Sequence, residues 1–438
     1  MLRKQCPPAA EKNGLWVGWS QDRSATIGFR QSPRFLERQP LIYNGDAHAL
    51  TCAPTGSGKF VSVVGPTLAT YPGSTITVDL KGEAYTVWSD WRRMLGHRVV
   101  LIDPCRELPN AKRDTLNPFD MFDLPGVRPE VECEMLASLL AEGHDFSTDP
   151  YWNDTSRGLM SGLIDHIRTL PPAERNPSTL RRMLHDDEFD YKIALALDNK
   201  EVADGSLARD EYVGYLTAPS DKTRPCILTT TQSHVKCLGS KDIAESLEKS
   251  TFPLQSLLDD EPLDLFLVFP ARYLDSHRNV LRLLLHVILS TIGRRTRIPQ
   301  RKTLLICDET AQLGRLPVLR QAITLLRGSG LICHTFWQDL SQIKQTYGND
   351  FETILNNCGI LQVFGMANYQ MAESWSHILG MSPQELMSLS PDEQAVFIRG
   401  QGAFRSQKLN YLRDAEFAGR FAANPRYELH PYAEQDIS

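Results

Sequence analysis

Through most of this 438-residue chain, short apolar and β-branched runs alternate with longer stretches in which apolar positions recur every three or four residues. The first spacing fits buried strands and the second amphipathic helices. From Ala49, "ALTCAPTGSGKFVSVVGP" reads as a buried strand, a glycine-containing turn and the start of a helix running on to "TLATY". "STITVDLKGE" and "HRVVLIDP" are strand runs that each lead into an aspartate, with the helical "AYTVWSDWRRML" between them. Strand-type runs return at "PLDLFLVFP", "KTLLICDE", "GLICHTFWQ", "GILQVFGM" and "QAVFIRG", again with helical stretches between. Such βαβ alternation predicts an α/β fold with a mostly parallel, twisted sheet. Ahead of it, the alternating "LWVGWS" and "ATIGFR" suggest a small β element within residues 1–45.

The texture changes between these blocks. "EVECEMLASLLAEG", "TSRGLMSGLIDHIRTL", "PSTLRRMLHD" and "DYKIALALDNK" are amphipathic helical stretches separated by proline- and acid-rich turns. The expected organisation is therefore an α/β domain in two parts, residues 1–125 and 219–438, with an all-α domain, 126–218, inserted between them. The most apolar stretch, "NVLRLLLHVILSTIG", contains Arg282 and His286 and is too short for a membrane span, so it reads as a core helix.

Composition narrows the function classes. A net charge of −6 and a pI near 6.0 exclude a surface that is basic all over, so nucleic acid would need a local patch or channel. The candidates are "RRTRIPQRK", Arg294 to Lys302, and the looser group Arg92, Arg93 and Arg98; charged solvent-facing loops are the alternative. Nine cysteines without pairing or metal-ligand spacing point to a reducing compartment. His144 beside Asp145 is the one pair that could start a metal site, and a loop pair explains it as well.

The candidate chemistry starts at Thr55, Gly56, Ser57, Gly58, Lys59 and Phe60. Two glycines let backbone N–H groups turn inward as a nest for phosphate oxygens, and the following helix aims its positive end at the same place. Lys59 supplies the charge for β- and γ-phosphates. The pattern lacks the first glycine and the final Ser/Thr of the usual phosphate loop, Phe60 standing where a magnesium-binding hydroxyl is expected. A glycine-rich turn with an exposed lysine is the competing reading. "TLLICDE" ends an apolar strand in Asp308 and Glu309, and buried paired acids are costly without a task. Asp308 suits magnesium and Glu309 an attacking water; a solvated acidic turn is the alternative. Gln338 ends the next strand and suits a γ-phosphate sensor or a plain turn residue. Pro317 and Gly328 bracket the helix "PVLRQAITLLRG", which puts Arg327 at its end. Arg327 either offsets the helix dipole or reaches a neighbouring subunit's nucleotide.

With these pieces placed, the chain resembles the coupling proteins of type IV secretion and conjugation systems, the TraG-type DNA-transfer ATPases. The likeness is carried in order by "APTGSGK", "DLKGEAYTVWSDWRRMLGHRVVLIDP", "LNPFD", "YWNDTSRGLMSGLI", "TTTQSHVKCLG", "LDSHRNVLRLLLHVIL", "CDETAQLGRLPVLRQAITLLRGSG", "QDLSQIKQTYG" and "FIRGQGAFRSQKLNYLRD". The resemblance implies a RecA-like P-loop domain and ATP hydrolysis with Mg2+ by a homo-oligomeric ring, usually a hexamer. Such rings deliver DNA or protein substrates to a secretion channel. The all-α domain would face substrates, relaxase-like proteins or adaptors.

Two departures shape the expectations. Family members usually carry N-terminal transmembrane helices, whereas this chain starts with a short polar leader. The implied location is the cytoplasm, with recruitment to the inner membrane through partners. Phe60 replaces a small or hydroxyl residue and removes one magnesium ligand, so the implied ATPase is a weak one. Two other functions stay open: an ATP-binding adaptor without hydrolysis that holds partners through the all-α domain, and a cytosolic DNA-translocase-like motor.

Overall fold

The structure, a computed structural model, describes residues 14–20, 38–141 and 150–424. The described runs read as strands are strands, and two more, β2 and β11, join them: β1 (Leu15–Trp19), β2 (Pro40–Tyr43), β3 (His48–Cys52), β4 (Thr75–Asp79), β5 (Arg98–Ile102), β6 (Leu263–Val268), β7 (Thr303–Cys307), β8 (Leu331–Trp337), β9 (Cys358–Val363), β10 (Glu393–Ile398) and β11 (Gly402–Gln407). They form one sheet in the order β2-β1-β11-β10-β9-β3-β8-β7-β4-β6-β5. From β9 to β4 the pairings are parallel. Every residue of β3, β4, β6, β7, β8 and β9 is buried, as expected of parallel strands covered on both faces. The other flank, β10, β11, β1 and β2, is antiparallel. β11 has no apolar run to announce it: "GAFRSQ" is half-buried, and Gly400 and Gly402 turn the chain into it at φ of +87° and +81°.

The chain divides into two compact units, one of Met1–Val99, Asp260–Phe266 and Arg297–Ser438, the other of Val100–Asp259 and Leu267–Thr296. In the second unit, helices Pro129–Ala141, Pro150–Ile167, Pro177–Leu184, Phe189–Asp198, Leu207–Thr217, Thr223–His234 and Lys241–Glu248 follow one another, and Leu274–Gly293 completes it. Pro150–Ile167 packs against Pro129–Ala141, Leu207–Thr217 and Thr223–His234. Among the described residues, no helix is long and apolar enough to cross a membrane. "ATIGFR" and the His144–Asp145 pair lie outside the described residues.

Three local expectations are corrected. The helix after the glycine loop opens with a π-helical turn, Phe60–Val64, and becomes α-helical only over Gly65–Thr70. Pro66 has no N–H to donate and its ring would collide with the carbonyl one α-turn back, whereas a wider turn lets Gly65 N–H reach the Phe60 carbonyl. The helix at Pro317 ends at Thr324, and the left-handed cap is Gly330, at φ +76°, rather than Gly328. A side chain there would collide with the Pro299 ring.

The third concerns charge. Arg92 is wholly buried and cannot track phosphates. It donates to both Asp264 carboxylate oxygens (2.6 and 2.9 Å) and to the carbonyls of Leu68, Tyr71 and Gly73. The basic run Arg294–Lys302 is also largely engaged. Within the second unit Arg294 bonds Glu132 and Arg295 donates to the Leu257 carbonyl. Within the first, Arg301 donates to the Pro72 carbonyl and Lys302 lies 3.6 Å from Asp46.

Burial would raise the Asp264 carboxyl, but Arg92 and His97 override it and hold it at about 2. The pair's stability is thus complete above the unfolded value of 3.8 and fades as pH falls through about 2. Arg92→Leu strands a buried carboxylate and is expected to cost about 3–5 kcal/mol. The double variant Arg92→Leu/Asp264→Leu should recover part of that loss. Chemical denaturation at pH 7 reads both, and a single variant as stable as wild type would refute the assignment.

Candidate functional site

The site grows from the C-terminal ends of β3, β8, β7 and β4. Cys52 pairs with Trp337, Cys307 with Thr335 and Val78 with Cys307, which brings the residues after these strands to one edge of the sheet. Such an edge is where open parallel sheets bind ligands. The loop is fastened there through Ala53 N–H to the Trp337 carbonyl, at 2.9 Å. Gly56 and Gly58 both take positive φ, +78° and +87°, the conformation that turns successive N–H groups to one side. Thr55 and Gly56 are exposed, while Ser57 folds back, its hydroxyl donating to the Pro54 carbonyl at 2.6 Å.

Lys59 Nζ lies inside this loop, donating to the carbonyls of Ala53 (2.7 Å) and Pro54 (3.2 Å). Burial lowers its pKa, opposed by the charges of Asp308 and Glu309. The strand-end acids therefore share the loop lysine's electrostatic environment, the association proposed from sequence. Asp308 is half-buried and its carboxyl is pushed up to about 6, first by burial and then by Glu309 and Asp79, against Lys81 and Lys59. A divalent cation beside this carboxyl would offset both the burial and the neighbouring negative charge that raise it. Glu309 sits in the left-handed region, φ +51° and ψ +53°, a conformation costly for a residue with a Cβ. Thr310 fixes this turn: its hydroxyl donates to the Cys307 carbonyl and accepts the Phe336 N–H.

Gln338 follows β8 directly and is half-buried; its N–H donates to Gln342 Oε1 at 2.9 Å. With Pro54, Asn368 and Trp375 it lines a cavity of about 350 Å³ beside the loop. Arg327 is not brought to this edge. It precedes β8, is exposed, and its nearest ion-pair partner is Asp46, 3.7 Å away and just ahead of β3. That is the opposite, N-terminal end of the strands.

Two lysines escaped the sequence reading. Lys81 lies 3.5 Å from Glu309. Asp79 positions it by accepting the Lys81 N–H at 3.0 Å and capping helix Glu83–Met94 through the N–H groups of Ala84 (2.7 Å) and Tyr85 (3.3 Å). The signal for Lys81 was available, since "VDLKGE" ends a strand in the same sheet as the loop. Lys408 reaches the Ser57 carbonyl at 3.2 Å across 351 residues, and no local pattern marks it. Phe60 is half-buried, its ring edge-on to Tyr411 with centroids 5.9 Å apart.

The arrangement fits a nucleotide with Mg2+. The glycine cradle is open, since a Cβ at Gly56 would meet nothing within 4 Å. No group of three or more metal-ligating side chains occurs among the described residues. Mg2+ does not require one, because it commonly takes one or two carboxylates and completes its shell with phosphate oxygens and water. Asp308 can provide the carboxylate.

Comparisons with known proteins agree with this geometry. The profile of the family described as Type IV secretory system Conjugative DNA transfer matches residues 10–382. The conjugal transfer protein TraG of Escherichia coli is 28% identical over 399 residues, covering 85% of this chain and 59% of TraG. The chain thus spans 59% of the length of that relative. The bacterial conjugative coupling protein TrwBdeltaN70, in an unbound form, aligns with a TM-score of 0.64 at 17% identity, over 84% of this chain and 86% of that one. The plasmid coupling protein TrwB in complex with ADP and Mg2+ gives 0.62 at 17% identity, over 86% and 88%. These likenesses establish the fold as the RecA-like P-loop α/β type. With a family profile matching most of its length, this chain belongs to the family of type IV secretory system conjugative DNA transfer proteins.

Proposed function

We propose that this protein binds ATP with Mg2+, hydrolyses it, and uses the cycle to recruit or move DNA or protein substrates toward a type IV secretion or conjugation apparatus. The observation that carries the proposal is the meeting of Lys59, Asp308, Glu309 and Gln338 at one edge of the sheet. The loop N–H groups and Lys59 bind phosphates, Asp308 holds the metal, Glu309 orients and deprotonates water, and Gln338 senses the γ-phosphate. Magnesium supplies charge neutralisation on the phosphate oxygens when bound. Lys81 restrains Glu309 until substrate competes for it. Arg327 can serve only across a subunit boundary, which fits a ring such as a hexamer. Helical residues 126–218 form an inserted domain that meets substrates, relaxase-like proteins or adaptors, and the protein works in the cytoplasm, held at the inner membrane by partners.

Phe60 favours a second reading, an adaptor that binds ATP without turning it over, because the loop lacks the hydroxyl that usually completes the metal shell. Steady-state phosphate release and calorimetric ATP binding separate the two. Lys59→Ala is expected to weaken ATP binding by about tenfold or more, the loss of a charge-assisted contact. Glu309→Gln should keep binding while turnover falls by about a hundredfold or more. Magnesium-dependent binding without turnover in wild type would select the adaptor, and no binding at all would remove both.

Asp308 should also trade stability for function. Its carboxyl ionises near 6 in the folded chain against 3.8 when unfolded. Folding therefore favours the protonated form, and the penalty is complete above about 6 and absent below about 4. Without nucleotide or magnesium, Asp308→Asn is expected to stabilise the protein at pH 8 by about 1–3 kcal/mol. The gain should shrink as pH falls from 6 toward 4. Denaturation curves at pH 8 and 4.5 test this; an equal effect at both would refute it.

A further inference from the structure

The hairpin of β10 and β11 ends by laying a second ammonium on the phosphate loop. Lys408 immediately follows β11, and its N–H is tied to the Asp392 carbonyl at 2.8 Å. Its half-buried side chain crosses the Phe364 ring, with Nζ 4.7 Å from the centroid, and donates to the Ser57 carbonyl at 3.2 Å. A Cβ built on Gly58, the left-handed glycine ahead of Lys59, would lie 4.0 Å from that Nζ. The charge therefore stands at the glycine face of the cradle.

This ammonium is under-compensated. Among the described residues it has no ion-pair partner; only the more distant Asp392 opposes the burial that lowers its pKa. One carbonyl and a ring face are a thin replacement for the hydration an ammonium loses on burial. A phosphate arriving in the cradle would supply the missing counter-charge. The neighbouring chain is built into the same loop: Tyr411 donates its N–H to the Val61 carbonyl at 3.3 Å and packs on Phe60. The hairpin's exit thus touches the loop at Ser57 and the helix beyond it at Val61.

We propose that Lys408 is a second phosphate-binding cation of this site, which moves from the Ser57 carbonyl to a phosphate oxygen of a bound nucleoside di- or triphosphate. The inference rests on the ATP-site reading above and adds the C-terminal hairpin to it. It assigns Lys408 a contact in the ligand's own subunit and makes the segment from Lys408 to Tyr411 responsive to occupancy.

The test uses the whole chain and calorimetry with ATP, ADP and adenosine, comparing wild type, Lys408→Met, Lys408→Arg and Lys59→Ala. Methionine keeps the stem that covers Phe364 and removes the charge. Lys408→Met is expected to weaken ATP and ADP about tenfold while leaving adenosine binding unchanged, as loss of a charge-assisted phosphate contact requires. Lys408→Arg should stay within about threefold of wild type, arginine keeping the charge that binds phosphate. The nucleotide-free melting temperatures of both variants should match wild type within about 1 °C. Wild-type affinity in Lys408→Met would overturn the proposal. So would a lower nucleotide-free melting temperature with affinity that arginine does not restore, since that marks a structural prop. If wild type binds no ATP while its fold is intact, the ATP-site reading itself falls.

Discussion

One buried guanidinium holds the framework on which the site depends. Arg92 takes the carbonyls of Leu68, Tyr71 and Gly73, the end of the helical segment that begins at Phe60. Asp264, its carboxylate partner, also accepts the N–H and hydroxyl of Thr75 at the start of β4. The phosphate loop is therefore fixed from behind: helix end, strand start and helix Glu83–Met94 converge on a group that cannot leave without exposing a buried charge. A loop with two left-handed glycines needs such an anchor. Its own backbone has too much freedom to hold a nest in place.

At the front, the site stores electrostatic tension. Asp79, Asp308 and Glu309 act on one another and on Lys59 and Lys81 at the ends of the strands. Asp308 is raised by burial first and by the charges of Glu309 and Asp79 after it; Lys59 is lowered because burial outweighs the charges of Asp308 and Glu309. Glu309 adds backbone strain and is held by Lys81 at 3.5 Å. Structures keep such arrangements where a ligand relieves them. A polyphosphate with a divalent cation would bring both the negative charge the lysines lack and the positive charge the acids lack.

What was legible in the sequence follows from range. The central strands could be read because they are buried on both faces and show as unbroken apolar runs, and the acids because they end one of those runs. The helical texture of 130–215 could be read from period alone. β11 could not, since a half-buried antiparallel strand of "GAFRSQ" has no contrast with a loop. Arg92 looked like part of a surface cluster, because the carboxylate that buries it lies 172 residues on. Lys408 was invisible for the same reason. The π-turn had a local cause, Pro66, yet its need shows only once the preceding carbonyls are placed.

Phe60 acquires a physical role from the same long-range contacts. Its ring meets Tyr411, which in turn packs on Trp88 and Phe421, and the Tyr411 ring fills the space beside Gly65, where a Cβ would stand 2.6 Å from it. The wide turn and the side-chain-free glycine together make room for that ring. A serine or threonine at residue 60 would offer a metal ligand but could not form this edge-to-face contact, worth about 0.5–1.5 kcal/mol beyond burial. The loop has exchanged a ligand for a latch on its C-terminal segment. Since Mg2+ can complete its shell with water and phosphate oxygens, Phe60 does not by itself close the loop to a metal–nucleotide complex, while it ties the loop to Tyr411.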